Sequence, residues 1–254
     1  MIPPERAQVT IVGGGFTGLA AAYELARNGV RVRVLEAEAE VGGLAASFEV
    51  GGEKLERFYH HWFTSDGDVM ALIDELGLGD RVTLHATSTG VYYANSFFRL
   101  STPWDLLKFK PLRLHDRVRL GLLALRARRV KDWEALEDKT AEEWLRALGG
   151  DDVYRVVWQP LLQGKFGPYA EQVSAVWFWN KLKLRGGSRG KGGEERLAYF
   201  RGGFAALAEA LASRIRELGG RIELNAPVSR IDPVPGGWAA TTPRGVFTSD
   251  RVVA

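Results

Sequence analysis

The 254-residue sequence contains no cysteine. Disulfides, thiolate nucleophiles and cysteine-ligated metals are therefore excluded. The absence suits a reducing compartment without fixing one. Neither sign of charge dominates: 34 Lys and Arg stand against 31 Asp and Glu, a net +3. No apolar run approaches the ~20 residues of a membrane-spanning helix. Residues 1–8, MIPPERAQ, carry acid and lack an apolar stretch, so they do not read as a secretory signal. Internal repeats and low-complexity tracts are lacking as well. No Ser/His/Asp arrangement and no carboxylate pair at a working spacing stands out, and no catalytic side chain is named. A cytoplasmic location is the resulting expectation. Hydrophobic residues make up 46% and charged residues 26%. That balance is ordinary for a globular chain, and the length suits one large or two modest domains.

What is present is concentrated near the start, in VTIVGGGFTGLAAAYELARNGVRVRVLE, residues 9–36. Val9–Val12 is a short apolar run of the kind that forms a central parallel strand. Gly13-x-Gly15-x-x-Gly18 follows. Gly13 permits a sharp turn, Gly15 leaves the backbone open to a pyrophosphate, and Gly18 lets a helix pack closely on the strand. The helix runs on through Leu19, Ala22, Leu25 and Ala26, and Asn28-Gly29 stops it. Val30, Val32 and Val34 then alternate with Arg31 and Arg33, which predicts a strand with one buried face. Glu36 ends that strand, where a carboxylate accepts hydrogen bonds from ribose hydroxyls and repels a 2′-phosphate. The helix N-terminus supplies free N–H groups to a diphosphate. A second glycine pair, Gly42-Gly43, lets another backbone segment approach the dinucleotide, a feature that ordinary NAD dehydrogenases do not need.

The block from Val9 to Ala45, with its glycines, Glu36-Ala37 and Val41-Gly42-Gly43, resembles the FAD-binding N-terminus of the amine oxidase superfamily of flavoproteins. That superfamily includes protoporphyrinogen oxidases, phytoene desaturases, monoamine oxidases and, more distantly, UDP-galactopyranose mutases. Many members carry arginine after the second glycine pair; this chain has Leu44. A second match is Tyr199-Phe-Arg-Gly-Gly-Phe204, followed by a helix with Leu207, Leu211, Ile215 and Leu218 on one side. RIELNAPVSRI then reads as a strand, and Trp238–Val253 as a hairpin.

The resemblance implies an α/β fold: a Rossmann-like FAD-binding domain (1–84 and 199–254) with an inserted, largely helical α+β substrate domain (85–198). It implies FAD as cofactor. It also implies a binding set of Gly13, Gly15, Phe16, Thr17, Gly18, Glu36, Ala37, Gly42, Gly43, Leu44, Val228 and Ala254, with no metal. The implied activity is dehydrogenation of an apolar or cyclic small molecule, protoporphyrinogen oxidase-like or desaturase-like. Three alternatives stay open: a mutase-like flavoenzyme without net redox change, a non-enzymatic lipid-binding relative of the fold, and an inactive fragment. The match ends where family members normally continue, so a separate C-terminal half or a homo-oligomer is a further expected partner.

Between the two matches, Arg57, His60 and His61 are candidates for the flavin edge, weighed equally with packed histidines. Trp158, Phe166, Trp177, Trp179 and Tyr199 are candidates for an apolar cavity or for ordinary core. Residues 186–193, GGSRGKGG, read as a mobile loop flanking the site entrance. From Lys108 to Lys131 nine basic residues interleave with leucines against one acid, Asp116. A solvated helix face is the favoured reading, and peripheral contact with an anionic membrane is the alternative. No nucleic-acid-binding module accompanies the charge, so nucleic acid is not an expected partner.

Overall fold

A computed structural model describes residues 7–58, 60–187 and 195–254. In chain order the first elements are strand β1 (Ala7–Val12), helix α1 (Phe16–Arg27) and strands β2 (Val32–Leu35), β3 (Ser47–Val50), β4 (Glu53–Glu56) and β5 (Trp62–Phe63). Helix α2 (Gly67–Glu75) and strands β6 (Val82–Thr87), β7 (Gly90–Tyr93) and β8 (Ser96–Arg99) follow. Then come six helices: α3 (Pro103–Leu107), α4 (Leu114–Arg129), α5 (Ala141–Gly149), α6 (Asp151–Val153), α7 (Gln159–Phe166) and α8 (Ala175–Gly187). Strand β9 (Glu195–Phe200), helix α9 (Gly203–Glu217) and strands β10 (Arg221–Glu223), β11 (Arg230–Val234), β12 (Gly237–Thr242) and β13 (Gly245–Val253) complete the chain.

The chain divides into two compact units. One comprises residues 1–61, 68–83 and 199–254; the other comprises 62–67 and 84–198. The first holds a six-stranded sheet in the order β10-β2-β1-β13-β12-β11. β1, β2, β10 and β13 run parallel, and β11, β12 and β13 form an antiparallel meander. β1 therefore lies between β2 on one side and β13 on the other. An α/β sheet binds its ligand at such a point, outside the carboxyl ends of the strands.

Both faces of the sheet centre are covered, which corrects the one-sided reading of β2. Its residues are all buried, Arg33 included. The Arg33 guanidinium lies 4.9 Å from the centre of the Phe247 ring, and burial pushes its pKa down. Strand-period alternation fails here because a stacked arginine substitutes for an apolar residue on the second face. A second correction concerns RIELNAPVSRI. It forms two strands at opposite edges of the same sheet, not one. Asn225 adopts a positive φ of 52° and Pro227 has no N–H, so the ladder ends at Glu223 and resumes at Arg230.

α1 and α9 pack together on the sheet. Leu19, Ala22, Tyr23 and Ala26 meet Ala208, Leu211, Ala212 and Ile215 in one core. The alanines leave no bulk between the helices, and the three- and four-residue spacing puts them on one face. Tyr23 Oη and Arg27 Nη1 both donate to Glu75 Oε1 of α2, at 2.8 and 2.6 Å.

The second unit is largely helical. Capping boxes at Thr102/Asp105 and Thr140/Glu143 start α3 and α5. β7 pairs with β8, and β5 pairs with Leu197 and Ala198 of β9. Trp158, Phe166, Trp177 and Trp179 all join one packed cluster around Leu123, Leu145 and Phe178. Phe166 stands edge-on to Trp177 at 4.9 Å, and Trp179 Nε1 donates to the Ala127 carbonyl. These four aromatics pack into that core, and Tyr199 lies in the other unit. Most of the glycine-rich 186–193 stretch falls outside the described residues. Among the described residues no helix is long and apolar enough to cross a membrane.

The shared core predicts the cost of opening it. Leu211→Ala removes a fully buried side chain between α9 and α1. Chemical denaturation should show a loss of about 2–5 kcal/mol.

Candidate functional site

The glycine turn after β1 is held from three directions. Gly13 adopts φ 104°, a conformation that side chains disfavour, and its N–H donates to the Leu35 carbonyl at 2.8 Å. A side chain on Gly18 would collide with the Gly13 carbonyl oxygen. α1 then begins at Phe16 with Gly15 as its cap, and no side chain caps it. The first intrahelical bond runs from Leu19 N–H to the Gly15 carbonyl. The N–H groups of Phe16, Thr17 and Gly18 thus precede the helical ladder, and the positive end of the helix dipole sits with them.

The second glycine pair meets the first turn directly. Gly42 N–H donates to the Gly14 carbonyl at 2.8 Å, and Gly15 and Gly42 form a parallel bridge. A side chain on Gly43 would stand 3.1 Å from Gly15 Cα. The two glycine turns thus lie backbone to backbone. Leu44, in the short helical turn that follows, is 78% exposed.

Glu36 is buried at the carboxyl end of β2. Its Oε2 accepts from Gly14 N–H and its Oε1 from Glu38 N–H. A carboxylate offers about four lone-pair sites, so these bonds orient it and leave capacity for further donors. Gly14, the unassigned position of the glycine motif, is therefore a partner of Glu36 that the spacing rule passed over. A side chain there would stand 2.9 Å from Glu36 Oε2. Its only signal was the third glycine in a row.

Val228 and Ala254 reach the same end of the sheet. Asn225 N–H donates to the Glu38 carbonyl and Ala226 N–H to the Glu36 carbonyl, at 2.9 and 2.8 Å. Val228, two residues on, packs with Leu35, Ala226 and Ala240. β13 pairs with β1 as far as Ile11↔Val253, which sets Ala254 beside the exit of β1. Ala37 and Thr17 are exposed at this end. All twelve expected positions thus lie on the glycine turns or on the segments that end beside them.

An aromatic group extends from α1. Phe204 stands edge-on to Phe16 at 6.3 Å, 6.0 Å from Tyr199 and 5.3 Å from His60. Glu56 closes this group, its Oε1 accepting from both Tyr199 Oη and Phe204 N–H, at 2.8 and 2.9 Å. A carboxylate from β4 thereby caps α9 across the chain, which no local spacing revealed. His60 Nδ1 is buried without a partner; Arg57 and His61 are exposed. Among the described residues no group of three or more His, Cys, Asp or Glu gathers to hold a metal.

Two expectations follow from this geometry. Gly18→Ala should lower stability by about 1–3 kcal/mol in chemical denaturation, because the helix must shift off the Gly13 carbonyl. The second concerns alkali. Burial, then the Glu56 carboxylate, pushes the Tyr199 hydroxyl up to about 12. Its folded pKa is raised above the unfolded value of about 10, so its contribution is complete below pH ~10 and fades towards ~12. Between pH 9 and 12 the native protein should lose more stability than Tyr199→Phe.

Residues 16–254 match the family model described as flavin containing amine oxidoreductase. A putative flavin-containing monoamine oxidase of Mycobacterium tuberculosis is 28% identical over 99% of this chain and 57% of its own length. A mitochondrial protoporphyrinogen oxidase of Nicotiana tabacum is 36% identical over 40% of this chain and 21% of its own. The fold is similar to that of cyclohexylamine oxidase from Brevibacterium oxydans, with a TM-score of 0.74 and 21% identity, over 97% of this chain and 57% of that one. The chain spans little more than half of the monoamine oxidase and cyclohexylamine oxidase chains. With the glycine cradle and its carboxylate in place, this chain belongs to the flavin containing amine oxidoreductase family.

Proposed function

We propose that the cradle binds FAD and that the protein is a flavin-dependent oxidoreductase acting on an apolar or cyclic organic substrate. The buried Glu36 carboxylate carries this reading. It is fixed by Gly14 and Glu38 N–H groups beside an uncapped helix N-terminus. A buried carboxylate at the end of the second parallel strand suits an adenosine ribose, and the helix end suits a diphosphate. The residues present fit the group: Gly13, Gly15 and Gly18 would admit the diphosphate, and Gly42 and Gly43 would close over the turn. Val228 would meet the adenine through its backbone.

Bound there, the flavin supplies a two-electron acceptor for substrate oxidation. The chain's own part is to bind, orient and shield. Glu36 holds the ribose by charge-assisted hydrogen bonds, and the α1 dipole offsets the diphosphate charge. The Phe16–Phe204–Tyr199 group keeps water from one side of the cradle. The similarity to a protoporphyrinogen oxidase over 104 residues supports dehydrogenation of a cyclic apolar substrate.

The purified protein should show the flavin absorption bands, and heat denaturation should release FAD. Glu36→Ala should weaken FAD binding by about 10- to 100-fold in a fluorescence titration, the loss of charge-assisted hydrogen bonds. A colourless folded protein that takes up no added FAD would refute the reading.

A further inference from the structure

The one acid of helix α4 lies inside. Asp116 is 2% exposed. Leu112 and Leu120, four residues before and after it, belong to an apolar cluster with Val153 and Val156. A carboxylate in such surroundings is costly unless it is hydrogen-bonded. Asp116 Oδ2 is buried, and among the described residues it accepts no hydrogen bond. His115 Nε2 lies 3.2 Å from it without hydrogen-bond geometry, on a side chain that is 60% exposed. Arg119 Nη1 stands 3.7 Å from the other oxygen.

The start of the helix sharpens the contrast. Asp116 holds the third helical position, from which Asp105 and Glu143 reach back to cap α3 and α5. Arg113 is the cap residue of α4, and no side-chain bond closes that turn. The N–H groups of Leu114 and His115 therefore precede the helical ladder, with the positive end of the dipole beside them. Asp116 lines a cavity of about 170 Å³ together with Tyr93, Leu112, Arg113, Asp152 and Arg155. Asp152 and Arg155 satisfy each other at 2.5 Å. Two charges of opposite sign are left on one turn of α4: Asp116 inside and Arg113 at the rim.

We infer that this cavity binds a small zwitterion, a short amino acid. Its ammonium group donates to the Asp116 carboxylate, displacing the exposed His115 ring. Its own carboxylate meets Arg113 and the free N–H groups at the start of α4, and the Tyr93 ring walls the carbon chain between them. The arrangement of charge selects this class. A simple amine would meet the guanidinium groups of Arg113 and Arg155, and a simple anion would meet the buried carboxylate. A molecule that carries both charges satisfies both ends. The inference concerns the second unit alone and stands independently of the cofactor reading.

The test is isothermal titration calorimetry of the whole protein with β-alanine and with its two halves, propylamine and propionate. β-Alanine should bind, and each half should bind at least about tenfold more weakly. Asp116→Asn keeps the shape and removes the charge; it should weaken β-alanine by about 10- to 100-fold. Arg113→Gln, at an exposed position, should weaken it by about two- to fivefold. An unchanged thermal midpoint would show that each variant folds, and if Asp116→Asn does not, Arg113→Gln still decides. Three outcomes overturn the proposal: no heat from β-alanine at millimolar concentration, propylamine or propionate binding as tightly as β-alanine, or β-alanine affinity unchanged in the folded variants.

Discussion

Two glycine turns lie backbone against backbone at the end of β1, and the first unit is arranged around that contact. Gly42 donates to Gly14, Gly43 faces Gly15 Cα, and Gly18 rests on the Gly13 carbonyl. A side chain on Gly18 would strike the Gly13 carbonyl, and one on Gly43 would press on Gly15 Cα. The consequence reaches outward: α1 is drawn against β1, so its outer face must be narrow where α9 crosses it. Alanines at 22, 26, 208 and 212 meet that need. The proposed dinucleotide site is thus a by-product of tight packing, since the same absence of side chains leaves N–H groups uncovered.

Electrostatics adds the second constraint. A buried carboxylate is costly unless it is hydrogen-bonded, and Glu36 is bonded by the same turn that forms the cradle. The polar groups of the site and the backbone of the fold are therefore one network. Arg33, one residue before Val34 on the same strand, shows the complementary solution: a cation kept in the interior by a ring face, with its pKa lowered by burial. Glu56 repeats the principle at α9, where one oxygen joins β4 to a helix start and to Tyr199.

Much of this was legible in the residues because it is local. The order of strand, glycines, helix, strand and acid is written within about thirty positions, and helix periodicity marked α1, α2 and α9 directly. Readings failed where a rule of local period met a tertiary substitution. Arg33 broke the alternation of β2, and Asn225 and Pro227 split an apparently continuous strand across the sheet. α4 read only as mixed basic and apolar, with Asp116 as its one acid, because period alone does not say that this acid is buried.

The sequence by itself determined the glycine turn, the acid at the end of β2 and the family, since each depends on residues whose contacts are fixed by short chain separation. The tertiary structure alone decided the role of Gly14, the meeting of Gly42-Gly43 with the first turn and the arrival of Val228 and Ala254 beside it. It also decided the capping of α9 by Glu56 and the burial of Asp116 on α4. Each of these joins segments far apart in the chain or separates residues that are neighbours in it. Such pairings are set by packing and burial, which no local pattern encodes.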